Sequence, residues 1–303
     1  MAFAIEAITY ALGEKAIDIA KDFPSFIPVM SKTGIRTVHE SEGSALDLAE
    51  KSLKQLLGLD PALHGSVGAL IVVTQSPENL LPSAACSLQY RCGLADTVFA
   101  FDIGQGCSGF VQALVLGEKL LDTHENVIIV CTDTYRQKLR RSDRSTMAVF
   151  SDAASAVWLT RRPVWNITAQ SHFSNGGGGN LLMQKVPKGL NPEYLQMSGA
   201  DVFLFTKNVV PIVVSRALAQ GKLAVSEVQN WFFHQASKLV LDHLKGAIGI
   251  ETDIHTNLET IGNTVSSSIP ILMSASLDSL ADVMCLCGFG VGLSCSTAIV
   301  TRE

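Results

Sequence analysis

The sequence is short of charge and of aromatic side chains, and it has no excess of basic residues. Charged residues make up 17% and aromatics 7% of its 303 positions, with a net charge of −5. An acidic chain without interleaved basic and aromatic residues excludes general attraction to nucleic acid. A charged fraction below the usual quarter predicts a surface partly covered in a dimer. The start, MAFAIEAITYALGEK, has no basic n-region, and Glu6 interrupts its apolar run, so no signal peptide is expected. Seven cysteines stand at 86, 92, 107, 131, 285, 287 and 295. An odd number in a chain too large to need disulfide staples implies reduced thiols and a cytoplasmic location. Cys285 and Cys287 form C-x-C, but no second Cys/His pair sits at zinc spacing, so no metal site is expected. The glycines of Asn175–Asn180 lack the Lys-Ser/Thr ending of a phosphate-binding loop and read as a flexible turn. The run from Val283 to Val300 carries no charge and is long enough to span a membrane. Gly288, Gly290 and Gly292 alternate in it, so two buried strands joined by a glycine loop explain it better, and no membrane association is expected.

What is present is an alternation of apolar strands and amphipathic helices. Ser44–Leu57 reads as a helix with Leu48, Leu53, Leu56 and Leu57 on one face and Asp47 and Lys51 as an i,i+4 pair. Strands are expected at Val67–Thr74, Val98–Ile103 and Asn126–Thr132, and helices at Pro82–Cys92 and from Ser108 onward. This order predicts βαβ units and a largely parallel sheet. Leu12–Asp22 is expected as a helix ended by Pro24 and Pro28, Lys32–Arg36 as a turn, and Tyr135–Arg144 as a basic loop. Val149–Leu159 and Trp165–Gln170 read as two strands, and Val202–Gln220 as a helix. Val228–Phe233 reads as a strand running into His234, with a helix from Ser237 to Lys245. The order of elements in 1–163 roughly recurs in 164–303, which predicts two topologically similar halves.

The segment VFAFDIGQGCSGFVQALVLGEKLL, Val98–Leu121, organises the rest. Cys107 falls where a buried strand ends and a helix begins, among Gly104, Gly106 and Gly109. Free amides at a helix start favour a thiolate over a thiol, and the glycines let backbone amides approach a bound carbonyl. A cysteine nucleophile needs both. A small packed cysteine would fit the same turn. His234 after Trp231, Phe232 and Phe233 fits a satisfied core histidine as well as a catalytic one. Asn263 after Gly262 is also a common turn pair. Asp102 and Asp152 read as structural hydrogen-bond acceptors.

Seven segments taken together are more specific. They are KTGIR at 32–36, LPSAAC at 81–86, AFDIGQGCSGF at 100–110, DRSTMAVFSDAASAVWL at 143–159, WFFHQAS at 231–237, GNTVSSSIP at 262–270 and CGFGVGLSCSTAIV at 287–300. In order and spacing the chain resembles the β-ketoacyl-acyl-carrier-protein synthase III family of the thiolase-like superfamily. The resemblance implies an α/β, thiolase-like fold: two similar βαβ halves, 1–163 with the nucleophile and 164–303 with the histidine and asparagine, in a layered αβαβα core. It implies Cys107 as nucleophile, His234 and Asn263 as its partners, and the amides of Cys107 and Val291 as an oxyanion hole. Arg36, Arg144, Leu81 and Phe289 match substrate-binding positions. The implied activity is a decarboxylating condensation of an acyl thioester with a malonyl-carrier thioester. Its partners would be an acyl carrier protein, an acyl-CoA or acyl thioester, and a second copy of the chain. Coenzyme A or phosphopantetheine would enter only as substrate carrier, with no metal or redox cofactor.

Four departures bear on the substrate, one of them HQAS at 234–237 in place of the family's HQAN. Pro28 stands where the family's acetyl-CoA users have an adenine-stacking tryptophan. FSDAAS at 150–155 replaces the usual FGDGAG, and Leu81 replaces a phenylalanine. A starter other than acetyl-CoA fits these changes, as in a synthase for a secondary metabolite or surface polysaccharide. Two other readings stand beside condensation: acyl transfer from Cys107 to an alcohol or amine without decarboxylation, and a non-catalytic partner subunit.

Overall fold

The computed structural model describes residues 2–186 and 193–303. Among them the strands are β1 (Phe3–Leu12), β2 (Lys15–Asp18), β3 (Thr37–Glu40), β4 (Val67–Val73), β5 (Phe99–Ile103), β6 (Asn126–Asp133), β7 (Ala153–Ser174), β8 (Leu182–Met183), β9 (Gln196–Met197), β10 (Asn230–Phe233), β11 (Val283–Gly290) and β12 (Ser294–Arg302). The main sheet runs β10-β11-β12-β7-β6-β4-β5, with β1 joined to β7. β4 pairs in parallel with β5 and β6, and β10 with β11. The other main-sheet pairs are antiparallel, so the sheet is mixed rather than largely parallel.

Side-chain alternation builds the layers. Leu70 and Val72 of β4 face the helices Ala45–Leu57 and Ala84–Arg91, whose apolar faces pack there. Ala69, Ile71 and Val73 point the other way, onto the helix Gly109–Leu120. That helix and Ser268–Ser274 are also covered by Phe232, Met284, Leu286, Ala298 and Val300 from β10–β12. The far side of those strands, including Trp231, Phe233, Cys285 and Ile299, faces the helices Gly199–Gly221 and Lys238–Ile248. The result is helix, sheet, helix, sheet, helix. Gly199–Gly221 is long and apolar enough to cross a membrane by length and composition. In this fold its Val210, Val213, Val214 and Ala217 are buried in the outer core.

Several expectations change. Phe3–Leu12 is a strand paired along β7, and only Ile19–Asp22 of the expected Leu12–Asp22 helix is helical. Pro28 opens the helix Ile27–Thr33 instead of ending one, and Gly34 at φ +72° closes it. The two strands expected between 149 and 170 are one, β7, of 22 residues. Its first part pairs with β6 and β1 through Thr160, and its second pairs with β12 from Trp165. Pro163, without an N–H, falls where β7 changes partners, so no pairing is lost. The division at 163/164 lies inside this strand. Gly176–Leu181 forms 3-10 turns, anchored where Asn175 exchanges backbone bonds with Leu293 at 2.8 and 2.9 Å. The two strands expected within 283–300 are β11 and β12.

Candidate active site

Cys107 follows β5 in a 3-10 turn, Gly106–Ser108, that leads directly into the helix Gly109–Leu120. The turn requires its glycines. Gly106 has φ +50°, and a Cβ there would run into the Gln75 side chain and Val291. On β11, a Cβ at Gly290 would sit 3.0 Å from the Cys107 Sγ. Backbone therefore closes directly over the sulfur. The amides of Cys107 and Val291 both favour its thiolate, yet burial, followed by the charge of Asp133, pushes the Cys107 thiol up to about 12.

β10 delivers His234, whose N–H donates to the Cys287 carbonyl at 2.9 Å. Phe289 of β11 is buried and meets the imidazole edge-on, at 5.5 Å and 86°. Burial pushes His234 down to about 3, against an opposing contribution from the Val265 backbone. The ring is therefore neutral at pH 7, and its Nδ1 has no hydrogen-bond partner. Asn263 sits in a turn held to the 149–151 segment: its N–H donates to the Val149 carbonyl at 3.0 Å, and its carbonyl accepts from Ser151 at 2.8 Å. The side-chain Oδ1 accepts the Val265 N–H at 2.9 Å. That bond fixes the amide so that Nδ2 keeps its donors. Val265, a β-branched residue at φ +53°, is the strained position of the site. Cys107, His234, Asn263, Phe289 and Val291 thus converge from both halves of the chain.

The other expected site residues lie outside this cluster. Arg36 is exposed and pairs with Asp18 at 3.2 Å. Beside it opens a hollow of about 470 Å³ lined by Gly34, Lys238, Leu241, Lys245, Asn257 and Thr260. Arg144 is exposed at the start of the short helix Arg144–Met147. Leu81 is 86% exposed. The stretch expected as a basic loop is largely built in. Arg136 is buried and donates to the carbonyls of Met147 and Phe150 at 2.8 and 2.9 Å. Lys138 donates to the Gln75 carbonyl at 3.0 Å, and Arg141 pairs with Glu40. Arg140 lies over the Tyr194 ring at 5.3 Å. Asp102 accepts from the amides of Ala84 and Ala85, and Asp152 from those of Ser41 and Arg136. Among the described residues no group of three or more His, Cys, Asp and Glu could hold a metal ion.

Asp133, Gln75, Tyr135, Val265 and Ser266 also belong to the site's surroundings, and the sequence reading did not single them out. The one signal was a carboxylate directly after the apolar run 126–132.

Comparison with known proteins decides the family. The model of 3-oxoacyl-[acyl-carrier-protein (ACP)] synthase III matches residues 101–177, and that of its C-terminal part matches 218–302. The β-ketoacyl-[acyl-carrier-protein] synthase III of Lactococcus lactis subsp. cremoris is 34% identical over 297 residues, covering 90% of this chain and 89% of that one. The chain belongs to the β-ketoacyl-[acyl-carrier-protein] synthase III family. The synthase III of Streptococcus sanguinis is 31% identical over 291 residues, covering 90% of each chain. The crystal structure of the 3-oxoacyl-(acyl-carrier protein) synthase of Burkholderia xenovorans superposes with a TM-score of 0.91 at 29% identity, over 99% of this chain and 94% of that one. The five layers are the α/β, thiolase-like fold of this synthase III family.

Proposed function

We propose that this chain is an acyltransferase of the 3-oxoacyl-[acyl-carrier-protein] synthase III type. It condenses an acyl thioester with malonyl-[acyl-carrier protein], with loss of carbon dioxide, through an acyl–Cys107 intermediate. The observation that carries the reading is the convergence of a buried cysteine under two amides with an asparagine whose donor end is left free. In the first step the Cys107 sulfur bonds to the acyl carbon, and the carrier thiol leaves with a proton. In the second, the bond from the malonyl carboxylate to its α-carbon breaks and carbon dioxide departs. The electron pair moves into an enolate, whose oxygen accepts from Asn263 Nδ2 and an N–H of His234. The α-carbon then attacks the acyl–Cys107 carbonyl. The amides of Cys107 and Val291 receive that carbonyl oxygen, and Cys107 leaves as thiolate and takes a proton from water.

The same proposal assigns the nucleophile to a half spanning 1–163 and the two donors to 164–303. Arg36 and Arg144 contact coenzyme A or the carrier protein, and Phe289 seats His234. Coenzyme A and phosphopantetheine serve only as carriers, with no metal or redox cofactor. The chain works as a cytoplasmic homodimer, in keeping with its seven free cysteines. Two copies would meet along β5, the last strand of the sheet, where Phe99, Leu80 and Leu81 are exposed. Leu81 then reaches toward the partner's acyl site. Intact-protein mass after incubation with a panel of acyl-CoAs and acyl carriers tests the reading. An acyl mass on Cys107, discharged by malonyl-carrier into a β-ketoacyl thioester, is expected. An acyl mass that malonyl-carrier never discharges would remove the condensing step.

A further inference from the structure

One buried carboxylate is unused by this chemistry. Asp133 ends β6 and is fully buried. One oxygen accepts the Gln75 N–H at 2.8 Å. The other accepts the Ser266 hydroxyl at 2.6 Å and the Ser266 N–H at 3.4 Å. Ser266 directly follows Val265, the residue whose N–H holds the Asn263 amide. On the other side, the Gln75 side chain accepts from Tyr135 Oη at 2.7 Å and donates to the Gly104 carbonyl at 3.0 Å. Gly104 lies three residues before Cys107. The carboxylate therefore ties the turn before the cysteine to the turn after the asparagine, across the two halves of the chain.

Its charge also bears on the sulfur. After burial, Asp133 is the next cause holding the Cys107 thiol up. Burial pushes Asp133 itself up to about 6, opposed by its hydrogen bonds and by Lys138. The titratable groups facing this pair are Cys131, Tyr135 and Lys138 on and after β6, and His234 across the site. Of these, Lys138 is a cation, His234 is neutral above pH 3, and burial holds the Cys131 thiol and the Tyr135 phenol protonated. Asp133 is thus the anion of the group. A free thiolate is the form that oxidises and alkylates, so an anion behind the unloaded sulfur protects it.

We propose that Asp133 is a positioning residue shared by both half-reactions: it fastens the Asn263–Val265 turn through Ser266, joins it through Gln75 to the turn before Cys107, and as the anion of that network disfavours the Cys107 thiolate. This rests on Cys107 as the acylated thiol and Asn263 as a donor to the enolate. The test uses the full-length protein, iodoacetamide from pH 5 to 9, and mass analysis of the Cys107 peptide. Asp133→Asn should raise the alkylation rate at pH 7.5 by about three- to tenfold. Below pH 6, where Asp133 itself takes up a proton, variant and native rates should converge. A purely structural role would not produce that convergence. The native protein supplies a check that needs no variant: its log rate should flatten near pH 6. A Asp133→Asn profile superimposable on the native one, or a native profile straight through pH 6, overturns the charge role. Ser266→Ala keeps the carboxylate and removes one fastening. It should alkylate and load acyl groups within about twofold of native, while carbon dioxide release falls ~10-fold. Release at the native rate overturns the fastening role. Failure of the condensing reading would show differently, as a native protein that loads acyl groups and releases no carbon dioxide.

Discussion

The buried centre and the exposed rim of this site are built by different rules. At the centre, Cys107, His234 and Asn263 are almost without solvent contact, and each is fixed by backbone. Gly290 closes over the sulfur, the Cys287 carbonyl takes the His234 N–H, and the Val265 N–H takes the Asn263 oxygen. At the rim, Arg36 and Arg144 are exposed, and Leu81 projects into solvent from one chain. A packed centre tolerates little change, because any added atom meets backbone. A solvated rim tolerates charge and size changes at small cost to the fold. Of this chain's departures from the family, Pro28 and Leu81 lie on the exposed rim, whereas FSDAAS at 150–155 is buried and holds the Asn263 turn through Ser151.

The sharpest way to break this contrast is at the sulfur. Cys107→Ala should abolish acyl loading and leave the fold intact, because the turn already accommodates a small side chain. Persistent acyl-enzyme in that variant, read by intact mass, would take Cys107 out of the mechanism. Next in size is Asn263→Ala. It should load acyl groups near the native rate and lose ~10²–10³ in carbon dioxide release, the usual cost of one such donor. An equal loss in both steps would make Asn263 a structural residue.

A smaller effect separates burial from chemistry. His234 has a folded value of about 3 against an ordinary 6.5, so the unfolded chain takes up its proton first as pH falls. Stability is then lost below pH 6.5, by about 2 kcal/mol between pH 7 and 5. Asp133 and Asp152, each raised to about 6, act with the opposite sign between pH 6 and 4 and are unchanged in a His234 variant. His234→Asn should therefore flatten the acid limb by about 2 kcal/mol in denaturant titrations. An unchanged limb would mean that water reaches the ring. The smallest effect belongs to the rim. Reversing Arg140 and Arg144 should raise KM for a carrier-bound substrate about threefold, leave kcat within twofold, and weaken the salt dependence. A fall in kcat without a change in KM would move these residues inward.

The centre was legible in part because the turn at Cys107 is local. The residues alone indicated the glycine-lined turn at Cys107; His234, Asn263 and Val291 each fit a structural role and were indicated by the resemblance of the seven segments to the synthase III family. Strand and helix periods indicated the alternating elements, and the resemblance to the family implied the five layers. What stayed hidden depends on distant partners. Leu12–Asp22 looks helical, yet Lys15–Asp18 pairs with β3 and only Ile19–Asp22 is helical, and Pro163 looks like a strand break until β7 is seen to change neighbours there. Asp133 could be placed at a strand end, but nothing local indicates Ser266 as its partner. Arg136 and Lys138 read as solvated charges because burial by Met147, Phe150 and Gln75 is a property of the folded chain.

The most direct test is a single turnover. The enzyme is acylated on Cys107, freed of excess donor, and mixed with malonyl-carrier labelled in its free carboxylate. One labelled carbon dioxide per acyl group lost, with a β-ketoacyl-carrier as product, is the predicted result. Transfer of the acyl group to an alcohol or amine, with the malonyl label retained, would contradict condensation and leave an acyltransferase on the same fold.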